Sequence, residues 1–213
     1  MIVDERLTDY LHSLEREQSP ILGQIKKEAI ESYVPIIRTE TGSLLRTLIQ
    51  MNRPKKVLEV GAAIGYSALL MSEVLPEDGT ITTIENYEKR IPIARENFKR
   101  AKKEGVITLL EGDATEILKQ LEGPYDFIFM DAAKGQYIHF LPDILRLLPK
   151  GGVLVSDNVL QDGEILESRY GVTRRNRTIH SRMREYLYQL KHMEEFETSV
   201  LPLGDGVTIS VRL

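Results

Sequence analysis

Two carboxylates and one amide close adjacent apolar runs in this chain. Asp131 follows Phe127-Ile128-Phe129-Met130, and Asp157-Asn158 follow Val153-Leu154-Val155-Ser156. If both runs are neighbouring strands, their ends lie about 4.8 Å apart and the three side chains can meet on one cation. An all-oxygen set favours magnesium or calcium over zinc and leaves coordination positions for water and a substrate. The alternative is purely local: Asp157-Asn158 form a turn and Asp131 caps the next helix. Lys134 follows three residues after Asp131 and can reach the same place from a loop. Beside a cation its ammonium form is disfavoured, which suits a general base. Taken alone, a loop lysine is a solvated surface charge.

A second group of acids ends the earlier apolar runs. Glu59-Val60-Gly61-Ala62-Ala63-Ile64-Gly65 joins a strand to its helix, and a glycine turn there lets backbone approach a ligand. The dinucleotide fingerprint needs three spaced glycines, but Ala63 and Tyr66 occupy the second and third places, so NAD is disfavoured. Glu85 ends the next strand, where an acid binds ribose hydroxyls or is simply a solvated strand end. Asp113, in Gly112-Asp113-Ala114, either accepts from an adenine amino group, caps the next helix, or does both. One adenosine-sized ligand spans all three ends.

The elements that must position these residues follow from hydrophobic period. Leu7, Leu11 and Leu14 predict a helix ending near Ser19-Pro20. A second helix runs from about Gln24 to Tyr33, and a third follows Thr41-Gly42. Strands are then expected over Lys56–Gly61, Thr80–Glu85, Val106–Asp113, Tyr125–Asp131 and Gly152–Asn158. Helices are expected over Tyr66–Leu75, Glu88–Lys103, Ala114–Leu121 and Gln136–Leu148. Such alternation implies right-handed βαβ units and a mostly parallel sheet with helices on both faces. After a polar helix near Thr178–Leu190, Phe196–Leu203 and Val207–Leu213 flank Gly204-Asp205-Gly206 and read as a hairpin, with one antiparallel strand at the sheet's end.

The 213 residues suit one domain, 1–213, with 1–53 as a helical cover. A net charge of −4 means that any basic surface must be local. The absence of cysteine removes disulfides, thiolate zinc and a cysteine nucleophile, and it fits a cytoplasmic protein. Neither a signal peptide in Met1-Ile2-Val3-Asp4-Glu5-Arg6 nor a membrane span is expected.

Glu59-Val60-Gly61-Ala62-Ala63-Ile64-Gly65-Tyr66-Ser67, Met130-Asp131-Ala132-Ala133-Lys134 and Ser156-Asp157-Asn158-Val159-Leu160 together resemble the cation-dependent O-methyltransferases, the family of the catechol and caffeoyl-coenzyme A enzymes. The resemblance covers nearly the whole chain. It implies a Rossmann-like class I methyltransferase fold, α/β, with a mostly parallel seven-stranded sheet, an antiparallel C-terminal hairpin and N-terminal helices. It also implies S-adenosylmethionine as methyl donor, magnesium as the usual metal, and a homodimer. Carried over by position, Glu59, Gly61, Ser67, Ala68, Glu85, Asp113, Ala114, Asp131 and the backbone near Arg38 line the cofactor. The family often has Met or Val where Arg38 falls, which leaves its side-chain role open. Asp131, Asp157 and Asn158 match the metal ligands, and Lys134 matches the catalytic lysine, with Asp131 beside it in the catalytic set. The implied chemistry is chelation of two vicinal oxygens, with Lys134 taking the proton or steadying the oxyanion.

Thr173 to Arg184 holds five arginines, Arg174, Arg175, Arg177, Arg182 and Arg184, and no acid. A phosphate backbone calls for such a stretch and a small neutral phenol does not. A solvated helix start or an acidic dimer partner would also explain it. With the chain's length, the stretch resembles the bacterial tRNA 5-hydroxyuridine methyltransferases, which act at the wobble position of the anticodon loop. 5-Hydroxyuridine carries a hydroxyl beside a carbonyl and so chelates as a catechol does. Tyr137, Tyr170 and Phe140 are candidate stacking residues, with core packing favoured for Phe140. His139 and His180 are read as structural or phosphate-facing. The competing functions are a methyltransferase of small catechol-like phenols and a non-catalytic S-adenosylmethionine-binding module.

Overall fold

A computed structural model describes residues 3–213; Met1 and Ile2, the start of the stretch read for a signal peptide, lie outside the described residues. Three helices come first: α1 (Glu5–Ser13), α2 (Pro20–Glu31) and α3 (Thr39–Asn52). Ser19-Pro20 starts α2 rather than ending α1. The Ser19 hydroxyl accepts from Leu22 N, and Pro20 sits at the first turn, where a missing N–H costs nothing.

The alternating part is as the hydrophobic period predicts, with shorter elements. Strands β1 (Lys56–Val60), β2 (Thr80–Glu85), β3 (Ile107–Glu111), β4 (Phe127–Met130) and β5 (Val153–Ser156) are parallel. Helices α4 (Tyr66–Ser72), α5 (Ile91–Arg100), α6 (Ala114–Gln120) and α7 (Tyr137–Leu147) connect them; α8 (Arg177–His192), β6 (Phe196–Leu201) and β7 (Val207–Arg212) complete the chain. Side chains alternate between two apolar cores. Val57, Phe127, Phe129, Val153 and Val155 face the core that includes α2 to α5. Leu58, Ile128, Met130 and Leu154 face the core that includes α7 and α8. Burial on both faces is why β4 and β5 read as unbroken apolar runs.

The strand order is β3-β2-β1-β4-β5-β7-β6. The antiparallel strand, β7, therefore lies inside the sheet, between β5 and β6, rather than at its end. β7 buries Val207, Thr208 and Ser210, whereas β6 leaves Glu197 and Ser199 exposed, which suits an edge. The connections diverge between β1 and β4, which pair directly. A crevice at the carboxyl ends there is where open α/β sheets bind ligands. Among the described residues no helix is long and apolar enough to cross a membrane.

Candidate active site

The first half of the site is made by the ends of β1, β2 and β3. The turn after β1 is tied to β2 by Gly61 N and Ala62 N, both donating to Ile84 O at 3.0 Å. Gly61 has φ +106°, and a Cβ there would collide with the Asp131 carbonyl. Its glycine is thus needed to seat the end of β4 against the end of β1, a reason beyond the close approach to a ligand expected from sequence. A cavity of about 400 Å³ opens here, lined by Gly61, Glu85, Tyr87, Arg90, Asp113 and Asp131 among others, with Ala114 at its wall. That volume suits a small-molecule ligand.

Glu85 is buried, and its carboxylate accepts from Ala63 N at 2.7 Å, Asn86 N at 2.9 Å and Tyr87 N at 2.8 Å. This is a fixed, backbone-held acid rather than a solvated strand end. Asp113 caps α6, accepting from Thr115 N at 2.8 Å through Oδ1, and this bond holds its carboxyl below the usual range. Asp113 also lines the cavity, so the cap and the ligand-facing position coexist.

Glu59 is fully buried on β1. Thr83 Oγ1 donates to its Oε2 at 2.5 Å, while Oε1 has no hydrogen-bond partner among the described residues. Burial pushes its carboxyl up to about 7, with the hydroxyls of Ser67 and Thr83 opposing and the charge of Glu85 adding. Ser67 and Ala68 are buried on the first turn of α4, away from the cavity lining. Glu59 is not itself on the cavity wall but directly precedes Val60 and Gly61, which are; its orphaned carboxylate oxygen fits a ligand bearing an ammonium group, which would supply both a donor and a charge.

The second half lies at the ends of β4 and β5. Met130 and Ser156 are paired, so Asp131 and Asp157 stand side by side. Asp157 is buried and accepts Asn158 N at 2.8 Å through Oδ1. The Asp131 carboxylate takes no hydrogen bond among the described residues. Burial pushes Asp131 up to about 6, helped by the charge of Glu59 and opposed by Lys134. Asp157 rises to about 7 through burial and then the charge of Asp131. Two carboxylates forced together in a poorly solvated place fit a divalent cation, with Asn158 as the neutral third donor. Among the described residues no group of three or more His, Cys, Asp or Glu is placed to hold a metal ion.

Tyr137 is a correction to the sequence reading. It is not a stacking residue: its ring is fully buried against Tyr186, with centroids 5.5 Å apart, and its hydroxyl donates to Met130 O and Asp157 O, both at 3.1 Å. It therefore ties the two aspartate-bearing strand ends together from below. Phe140 is buried in the core as read, and it also borders the cavity. Tyr170 is 82% exposed, with the Arg177 guanidinium 5.7 Å from its ring centre.

Lys134 donates to Asp205 Oδ2 at 3.3 Å, not to either strand-end aspartate. Asp205 is buried in the turn between β6 and β7. Sequence reasoning took that turn only as a hairpin and missed the acid. The available signal was an acid between two glycines, which small residues let sink below the surface. Arg38 lies outside the 400 Å³ cavity, pairs with Asp162 at 3.1 Å, and lines a larger groove with α1.

The arginine stretch divides. Arg177 donates to Val172 O, Arg182 to Gly135 O at 3.0 Å and Arg184 to Ile165 O at 2.9 Å, so these three are engaged by backbone carbonyls outside the stretch. Arg174 and Arg175 are exposed and have no partner among the described residues. His180 is buried with Nε2 against Glu167 O at 3.1 Å, a structural placement, and His139 is exposed.

The profile of a family described as O-methyltransferase matches residues 12–213. A catechol O-methyltransferase of Niastella koreensis is 32% identical over 169 residues, covering 76% of each chain. Among solved structures, a Staphylococcus aureus protein provisionally named a caffeoyl-CoA O-methyltransferase has a TM-score of 0.91 at 31% identity, over 98% of this chain and 100% of that one. The SAH-bound methyltransferase of Podospora anserina has a TM-score of 0.88 at 26% identity, over 98% and 94%.

Proposed function

The chain belongs to the O-methyltransferase family, and we propose that all 213 residues form one S-adenosylmethionine- and divalent-cation-dependent enzyme acting on vicinal ring oxygens. The cofactor supplies an electrophilic methyl group on sulfur. Glu85 and Asp113 hold its ribose and adenine, and the unpartnered Glu59 Oε1 takes its ammonium. A cation on Asp131, Asp157 and Asn158 supplies charge that makes an acceptor hydroxyl easier to ionise. Lys134, held in an ion pair with Asp205, steadies the developing oxyanion or receives its proton. The strand ends keep donor and acceptor aligned, which removes most of the entropic part of the barrier.

For the acceptor we propose 5-hydroxyuridine at the tRNA wobble position. The observation that carries this is the exposed, unpartnered pair Arg174 and Arg175, four and five residues after Tyr170, whose ring is exposed and has the Arg177 guanidinium 5.7 Å from its centre. In an acidic protein such a patch suits phosphates flanking a base splayed from a single-stranded loop. A small catechol-like acceptor is the second reading, favoured by the names of the relatives.

The deciding experiment incubates the protein with magnesium, labelled S-adenosylmethionine and tRNA lacking the wobble methoxy mark, then digests to nucleosides. Label in 5-methoxyuridine, lost in Asp157→Ala and in Arg174→Ala/Arg175→Ala, is the expected result. Catechol methylation with no label in RNA overturns the tRNA reading. Cofactor binding without transfer to either acceptor would leave a binding module. We also propose a cytoplasmic homodimer that covers α1 and the Leu14 that follows it: Leu7, Leu11 and Leu14 are 49, 40 and 62% exposed. A monomeric mass by light scattering would overturn the dimer.

A further inference from the structure

We propose that Asp205 is the positioning residue of the acceptor side: one carboxylate oxygen holds Lys134, and the other holds the strained backbone strap at Gln161–Gly163. The proposal rests on the reading that Lys134 acts on the acceptor oxygen.

Asp205 is only 4% exposed, yet it carries an acid into this corner. Its Oδ2 accepts Lys134 Nζ at 3.3 Å, and its Oδ1 accepts Asp162 N. Its backbone joins in, because Leu160 N donates to Asp205 O and Val159 N to Gly206 O, both at 3.0 Å. The residues so held directly follow Asp157 and Asn158.

The strap needs such a hold. Gln161, Asp162 and Gly163 have φ of +51°, +52° and +94°, and two of the three are not glycine. Left-handed backbone is unfavourable at each non-glycine residue and persists only where neighbours over-determine it. Asp162 also pairs with Arg38 at 3.1 Å, so the strap is joined to the start of α3. Lys134, Gln161, Asp162, Glu164, Asn176 and Asp205 line a cavity of about 350 Å³ at this corner, with room for a single ring.

The flanking glycines explain how the acid gets there. A Cβ on Gly206 would collide with Leu160, and one on Gly204 would lie 3.1 Å from Arg38 Cδ. Both have positive φ. Gly204-Asp205-Gly206 thus wedges a carboxylate between the strap and Lys134, a role beyond that of a turn.

Two substitutions separate the two holds. Asp205→Asn keeps a carbonyl oxygen for Asp162 N–H but turns an amide NH₂ toward Lys134, which cannot accept. Asp205→Ala removes both. In Asp205→Asn, kcat on 5-hydroxyuridine tRNA or catechol falls about tenfold or more, while KM for acceptor and cofactor stays within about twofold. The hydrogen-bonded Lys134 ammonium resonance, seen by NMR without any acceptor, disappears, and amide exchange at Asp162 is unchanged. In Asp205→Ala, exchange at Asp162 accelerates and acceptor KM rises as well. Lys134→Met is the control. If it abolishes turnover while Asp205→Asn keeps wild-type kcat and the Lys134 resonance, the proposal is overturned and the reading of Lys134 stands. If Lys134→Met keeps full turnover, the reading of Lys134 is overturned, and the proposal with it.

Discussion

The two halves of the site are built by different means. At the ends of β1 to β3, acids are fixed by neighbouring backbone: Glu85 by three N–H groups and Asp113 by its own helix start. At the ends of β4 and β5, side chains from distant parts of the chain hold one another: Tyr137 under both strand ends, Asp205 on Lys134, Arg38 on Asp162. The first kind of site survives the loss of a single side chain. The second is a coupled network, in which removing one member disturbs the others. The halves meet at Gly61 and Asp131, and there a single change reaches both.

The largest expected effect is on the coupled side. Asp157→Ala should lower methyl transfer by about 10³-fold or more and abolish magnesium binding, with cofactor affinity changed less than about threefold. Kinetics with calorimetric titration of magnesium and of S-adenosylmethionine check this. A parallel loss of cofactor affinity would break the contrast between the halves.

Proton linkage comes next. Glu59 moves from 4.5 to about 7, Asp131 from 3.8 to about 6 and Asp157 from 3.8 to about 7. In these ranges the folded state binds more protons than the unfolded chain, so metal-free stability falls as pH rises from about 4 to 7. For Glu59 alone the loss is on the order of 3 kcal/mol. Magnesium bound at the proposed site should reverse the Asp131 and Asp157 part, because it would favour the ionised pair. Scanning calorimetry should show a small magnesium effect on Tm at pH 5 and a large one at pH 8. Equal effects at both values would mean that these aspartates do not bind the metal.

Gly61→Ala sharpens the comparison where the halves touch. The added methyl meets the Asp131 carbonyl at a positive φ, a cost of about 2 kcal/mol or more. A lower Tm with weaker binding of both cofactor and magnesium is expected; weakening of one alone would mean that the halves are not joined there. The smallest effect is Asp113→Ala. Loss of the cap costs about 1 kcal/mol of stability, and cofactor affinity falls about tenfold, roughly one good hydrogen bond to a charged group. At saturating cofactor kcat should be unchanged, and a fall in kcat would place Asp113 in the coupled network.

Much of the parallel sheet was legible because its signal is local. Phe127 to Met130 and Val153 to Val155 are apolar at every position, and that alone says that both faces are covered and that Asp131 and Asp157 lie near strand ends. Helix limits were less legible. Ser19-Pro20 carries the same residues whether it ends one helix or starts another, and the Ser19 bond to Leu22 N decides it. The order of β6 and β7 was hidden for a related reason, since either strand pattern alone suits a hairpin.

Period and turn chemistry act over a few residues, so the alternating architecture and the acids at the carboxyl ends of its strands are encoded locally. Which of those residues hold one another depends on the assembled fold. Lys134 meets Asp205 across 71 positions and Arg38 meets Asp162 across 124. Tyr137 is drawn under the strand ends by burial of its ring, and Arg182 is spent on Gly135 O rather than left for a partner. Such pairings follow from where the sheet brings distant segments together, and no local spacing encodes them.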